Sequence, residues 1–321
     1  MSRARRPLVV VITGASSGIG LGAARAFAAR GDAVVLAARG APALEQAAQE
    51  CRALGGRAVA VPTDVSDEAA VEALAGRAVE EFGAIDAWVN AAAVWSYGRF
   101  EDTPAPVFRQ IVETTLFGQV YAARAVLPHF RSQGHGVLVN IASIYSLLSA
   151  PYVAPYVTAK WGLLGFTEVL RQELLDHPGI SVCAILPGAV DTPVYRHAAN
   201  YIGRQIRPLP PVVDPRRVVA AVVRVVDKPE AQVVVGRAHH LGAWAHHFVP
   251  RLYDRLIGPM IELGALRDMP SADHDGTVFG SGPPSNAVDD GWRRHDLRYV
   301  AKVAAVAGVA AAAVAGARRL Q

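Results

Sequence analysis

The chain has little cysteine: two residues, Cys51 and Cys183, in 321. They are far apart and without CxxC spacing, which argues against a disulfide-stapled fold and a paired-thiol motif. Reduced thiols, in what read as a helix and a buried strand, point to a cytoplasmic compartment. Net charge is also scarce, +4 in total. Residues 292–321 carry six basic side chains (293, 294, 298, 302, 318 and 319) against Asp296 alone, or +5, so the remainder stands at −1. A basic excess confined to one tail argues against a nucleic-acid surface and makes a membrane surface the natural partner for that tail. No apolar run reaches the ~20 residues that span hydrocarbon. The Ala/Val/Gly run Val303–Ala317 is fifteen residues long, bracketed by Lys302 and Arg318–Arg319 as interfacial anchors would be. A signal peptide is not expected either: Arg3, Arg5 and Arg6 precede an apolar run of only five residues, 8–12, that leads into a glycine loop rather than a small-residue cleavage site. No internal repeat is evident. The pairs His239–His240 and His246–His247 have no carboxylate or cysteine at ligand spacing, so no metal is expected.

What the chain does have is apolar residues, 52% of the total, enough for one large core. Apolar, β-branched runs at 8–12, 33–37, 57–61, 85–89, 136–141, 180–186 and 232–235 alternate with helical patterns near 19–30, 42–54, 67–82, 104–132, 152–176 and 215–227. That alternation predicts an α/β fold, a doubly wound parallel sheet of seven strands with helices on both faces. Ligand is expected at the carboxyl ends of the strands. The stretch 239–264 reads as an amphipathic C-terminal helical extension with three roles open to it: covering a pocket, packing on a second subunit, or lying on membrane. The domain scheme is 1–264 as one body, 265–291 as a Gly/Pro-rich linker and 292–321 as a basic tail.

The first strand runs into Thr13-Gly14-Ala15-Ser16-Ser17-Gly18-Ile19-Gly20, and a helix begins at once. Glycine suits a tight turn at position 14, close backbone approach at 18 and strand-to-helix packing at 20. The helix N-terminus then offers N–H groups to phosphates. The loop therefore predicts a dinucleotide site.

The TGxxxGxG spacing resembles the fingerprint of the short-chain dehydrogenase/reductase family, and the resemblance extends over roughly residues 7–236. It implies a Rossmann-type fold and a nicotinamide cofactor held by Gly14, Ser16, Ser17, Gly18, Ile19 and Gly20. The second strand ends Leu36-Ala37-Ala38-Arg39, with no acidic residue to accept from ribose hydroxyls and with a guanidinium placed to pair with a 2′-phosphate. NADP(H) is thus the expected cofactor, with NAD(H) the alternative. The resemblance sets Asp64 and Val65 at the adenine, and Asn90 in Val89–Ala93, where the family usually shows NNAG. It also sets Pro187, Gly188, Val190 and Thr192 at the nicotinamide carboxamide.

Ser143 closes the strand 136–141, and Tyr156 and Lys160 follow one helical turn apart, on one face. A phenol titrates near pH ~10, so an ammonium alongside is expected to favour the phenolate. By resemblance, Ser143 holds the substrate oxygen, Tyr156 exchanges the proton, and Lys160 supports the phenol and bonds the nicotinamide ribose. Thr115 stands three residues before Gly118, where relatives often carry an asparagine that holds a water in the proton relay. That departure keeps a non-catalytic nucleotide-binding scaffold open as an alternative. Trp95, Tyr97, Ile144, Tyr145, Leu148, Tyr152, Val194, Tyr195 and Tyr201 are the expected pocket walls. They are apolar and aromatic without a charged clamp, which suits a lipophilic carbonyl or alcohol. A homo-oligomer is expected from the resemblance.

Overall fold

Period-two burial sets the strands. In Val9–Thr13, Val10 and Ile12 enter one apolar layer while Val11 enters the other. Ala87–Asn90 repeats the pattern with Ala87 and Val89 against Trp88. Both faces are apolar, as a sheet covered on both sides by helices requires. The computed structural model describes residues 6–282 and 286–295; the Val303–Ala317 run lies outside them.

The first half of the fold comprises β1 (Val9–Thr13), α1 (Gly18–Ala28), β2 (Ala33–Ala38), α2 (Ala41–Ala53), β3 (Arg57–Pro62), α3 (Glu68–Phe82) and β4 (Ala87–Asn90). After β5 (Ser96–Gly98) come α4 (Ala105–Val112), α5 (Gly118–Gln133), β6 (Gly136–Ile141), α6 (Ala154–Glu173), β7 (Ile180–Pro187) and α7 (Val194–His197). The chain then forms β8 (Ala199–Tyr201), β9 (Arg204–Ile206), α8 (Pro215–Asp227), β10 (Gln232–Val235), α9 (Arg237–Phe248), α10 (Pro250–Ala265) and β11 (Leu266–Pro270). Seven strands pair in parallel in the order β10-β7-β6-β4-β1-β2-β3. Helices α1, α2 and α8 cover one face; α3, α5 and α6 contribute to the other. The order reverses between β1 and β4, so their carboxyl ends open a crevice.

Several local features depart from the sequence pattern. The helical run expected over 104–132 is broken by a π-helical turn, Glu113–Phe117. The run at 239–264 is two helices, separated at Val249, whose backbone leaves the helical region before Pro250. Four short strands outside the main sheet carry no apolar β-branched run: β5 pairs with β8, and β9 with β11. In the stretch 265–291, whose composition suggests a linker, β11 follows α10 directly, and the described residues beyond it bond to the body, as where Gly18 donates to the Ala287 carbonyl. No helix among the described residues is long and apolar enough to cross a membrane.

Under the crevice a buried polar chain ties sheet to helix. Trp88 Nε1 donates to Asn90 Oδ1 at 2.9 Å, and Asn90 Nδ2 donates to Asn140 Oδ1 at 3.0 Å. Asn140 Nδ2 donates to Thr167 Oγ1 at 2.9 Å, whose proton goes to the Leu163 carbonyl at 2.7 Å. The chain joins β4 and β6 to α6, so it fixes how α6 sits above the strand ends. Asn140→Ala strands the Asn90 amide without an acceptor, an expected loss of about 1–3 kcal/mol. The check is a lower denaturant midpoint at unchanged slope; an unchanged midpoint would remove the network from this role.

Candidate active site

The turn from β1 into α1 is built on glycine for steric reasons. Gly14 has φ +68°, and a Cβ there would sit 2.7 Å from the Ala92 nitrogen; one on Gly20 would sit 2.3 Å from the Gly14 carbonyl oxygen. Ser17 makes no side-chain cap on α1, and the first turn contains no acidic residue. The helix start therefore carries no acidic side chain, and although the Gly18 amide is taken by the Ala287 carbonyl, its remaining N–H groups suit an anion such as a pyrophosphate.

From this loop a cavity of about 670 Å³ runs along the strand ends to α6. Gly14, Ser16, Ser17, Gly18, Ile19, Gly20, Arg39, Asp64 and Val65 line it together with Ser143, Tyr156, Lys160, Pro187, Gly188, Val190 and Thr192, the last lying against Gly18. Asp64 accepts from the Ser66 amide at 3.0 Å and from the Ser66 hydroxyl at 2.7 Å, which leaves Asp67 to cap α3. Arg39 is partly buried, and burial lowers its pKa while nearby Asp64 opposes that shift.

Two of the expected site residues do not reach the cavity. Asn90 sits beneath it, its side chain engaged by Trp88 and Asn140. Thr115 is fully buried in the π-helical turn: its hydroxyl accepts from the Val94 amide at 3.2 Å and donates to the Val94 carbonyl at 3.3 Å. Gln119 Nε2 donates to the Thr115 carbonyl at 3.1 Å. With these bonds made, the Thr115 hydroxyl, which stands where relatives often carry an asparagine, pins the loop after β4.

Ser143, Tyr156 and Lys160 do meet. Ser143 Oγ accepts from the Tyr145 amide at 3.1 Å and lies in hydrogen-bonding reach of the Tyr156 phenol. Lys160 Nζ donates to the Ile141 carbonyl at 2.6 Å and stands 5.5 Å from the centre of the Tyr156 ring. Trp95 packs on Tyr156 with ring centres 4.1 Å apart. The electrostatics differ from the simple ammonium argument. Burial is the dominant influence on Tyr156 and pushes its pKa up, with the Ser143 hydrogen bond pulling the other way. Burial likewise lowers Lys160 to about 7. Burial thus disfavours the charged form of both groups.

The other end of the cavity is apolar. Trp95, Tyr97, Ile144, Tyr145, Leu148, Val194 and Tyr195 line it, whereas Tyr152 and Tyr201 do not. Tyr152 donates from its hydroxyl to Glu262 at 2.8 Å, and the Tyr201 hydroxyl bonds Asp275. Leu241, Ala245, Leu252, Tyr253, Leu256 and Met260 complete the wall, so α9 and α10 cover the pocket. Two features escaped the sequence pattern. Tyr253 carries no motif, and Asp191, inside the Pro187–Pro193 segment, is almost fully buried and accepts hydrogen bonds from residues about a hundred positions away. No local signal announces partners at that separation.

Fold, cavity and side-chain placement together define a nicotinamide-dependent oxidoreductase of the short-chain type. The short chain dehydrogenase model matches residues 8–201, and the chain belongs to that family. It is an oxidoreductase acting on alcohol and carbonyl groups with NAD(P). Over 314 residues it is 34% identical to the oxidoreductase YxnA of Bacillus subtilis (strain 168), covering 96% of this chain and 88% of that protein. The 2-(R)-hydroxypropyl-CoM dehydrogenase of Xanthobacter autotrophicus is 38% identical over 190 residues, 58% of this chain and 76% of that protein. Among solved structures, a short chain dehydrogenase/reductase from Burkholderia phymatum in complex with NAD is similar at TM-score 0.69 and 25% identity, over 77% of this chain and 95% of that one.

The Lys160 shift gives a prediction. Between pH 7 and the ordinary lysine value, the unfolded chain binds a proton that the folded chain does not. Stability from this residue is therefore lowest at and below pH 7 and grows as pH rises. The stability of wild type minus that of Lys160→Met, measured by denaturant titration, should climb from pH 7 to 9 by about 1 kcal/mol per pH unit. A flat difference would contradict the burial of the ammonium.

Proposed function

We propose that the protein is an NADP(H)-preferring oxidoreductase working on a lipophilic carbonyl/alcohol pair through Ser143, Tyr156 and Lys160. The observation that carries this reading is a single cavity with the glycine loop and Arg39 at one end and these three side chains, walled by aromatic rings, at the other. The nicotinamide supplies or accepts the hydride. Tyr156 donates a proton to the substrate oxygen in reduction and takes one in oxidation, while the Ser143 hydroxyl holds that oxygen beside it. Lys160, anchored on the Ile141 carbonyl, lies close enough to the ring to assist phenol ionisation when charged. The buried Trp95 Nε1 has no partner among the described residues and offers the substrate a further donor. Preference for the 2′-phosphate is supported by Ala38 in place of an acidic side chain and by Arg39 at the cavity wall.

With a panel of lipophilic ketones and alcohols, Tyr156→Phe should lower cofactor-monitored turnover by about 10²–10⁴-fold while leaving nucleotide binding in place. Turnover at the wild-type rate would take proton transfer away from Tyr156. Titrated by fluorescence, Arg39→Ala should weaken NADPH about ten-fold or more and move NADH little, since a lost charge-assisted bond is worth about 1.5–3 kcal/mol. Equal weakening of both nucleotides would count against the NADP preference.

A further inference from the structure

Beyond β11 the chain returns over the nucleotide half of the cleft. Arg39 donates from Nη2 to the Thr277 carbonyl at 2.6 Å and from Nη1 to the Val278 carbonyl at 3.1 Å. Further on, the Gly18 amide donates to the Ala287 carbonyl at 2.9 Å, and Asn286 Nδ2 donates to the Ala43 carbonyl at 3.1 Å. The run then reaches the loop after β7. There the buried Asp191 carboxylate accepts from the amides of Asp290 at 3.1 Å, Trp292 at 2.9 Å and Arg293 at 3.3 Å, and from Arg293 Nε at 3.1 Å. Arg293 also donates to Asp214 at 2.7 Å. Three lips of one cleft are thus joined by a single run of chain: the glycine loop, the end of β2 and the loop after β7. The cavity passes beneath it, since Thr277, Ser281 and Gly282 line the same space as Gly14 and Tyr156. The run roofs the cleft without filling it.

We propose that residues 277–282 and 286–293 are part of the nucleotide-binding site: a strap that fixes the Arg39 guanidinium and is latched at Asp191, so that NADPH leaves only after the latch opens. This inference rests on the cleft being the nucleotide site. Its physical basis is the cost of opening. A carboxylate this buried, with three amides and a guanidinium around it, leaves an unpaired charge when any part of that set is withdrawn. Carbonyls of the strap also occupy one N–H on each terminal nitrogen of Arg39, which holds the guanidinium plane at the cavity wall. Asp191 and Arg293 therefore act as positioning residues for the 2′-phosphate end, although neither lies beside Arg39.

The test uses the full chain. Asp191→Asn and Arg293→Gln are compared with wild type by stopped-flow release of NADPH into excess NADP⁺, together with equilibrium affinities for NADPH and NADH. Both variants should release NADPH about ten-fold faster, because affinity differences among variants fall mainly on dissociation. Their NADPH-to-NADH preference should drop, which a merely stabilising contact would not cause. Wild-type release rates and unchanged preference in folded variants overturn the proposal. Hydrogen exchange on wild type serves if the variants do not fold: NADPH should slow exchange of the Trp292 and Arg293 amides, and no slowing overturns the proposal equally. Should wild type bind neither nucleotide, the reading of the cleft itself fails, an outcome distinct from the others.

Discussion

The reversal of strand order between β1 and β4 is the constraint on which everything else depends. Because β1 is followed by β2 on one side and β4 by β6 on the other, the loops leaving their carboxyl ends diverge and cannot cover the gap between them. The glycine loop hangs from β1 at the edge of that gap, and Arg39 and the Ser143-to-Lys160 stretch follow β2 and β6, the next strands out on either side. Burial of both sheet faces leaves these ends as the place where polar groups gather without breaking an apolar layer. The Trp88–Asn90–Asn140–Thr167 chain then fixes the tilt of α6, and with it the reach of Tyr156 to Ser143.

Dryness governs the chemistry of the gap. Burial lifts the pKa values of Tyr97, Tyr145, Tyr156 and Tyr195 and depresses that of Lys160. These four phenols and the lysine line one cavity, and α9 and α10 close its apolar end. Exposed Trp244 and Phe248 extend the apolar character along α9 beyond the cavity. The C-terminal strap encloses the opposite, polar end, so the two extensions to the sheet cover different halves of one cleft.

Much of this was legible in the residues. The seven sheet strands follow from period-two and apolar runs, because both faces of a parallel sheet bury side chains in a fixed rhythm. The glycine loop and the one-turn spacing of Tyr156 and Lys160 are local and could be read directly. Thr115 and Asn90 were legible as positions but not as roles. Whether a hydroxyl faces a cavity or a neighbouring backbone is decided by the loop opposite, here Val94, and an amide's direction by a partner fifty residues away, here Asn140.

The sequence by itself determined the layered α/β class, the glycine loop between β1 and α1, and the helical spacing that puts Tyr156 and Lys160 on one face, since each depends on contacts within a few turns of chain. Only the tertiary structure decided that described residues of the Gly/Pro-rich stretch lie along the cleft, that Asp191 accepts from groups about a hundred positions away, and that burial raises the pKa of Tyr156 while lowering that of Lys160. Those outcomes depend on which distant groups are brought together and how much water is expelled between them, and neither quantity is encoded in any local pattern of residues.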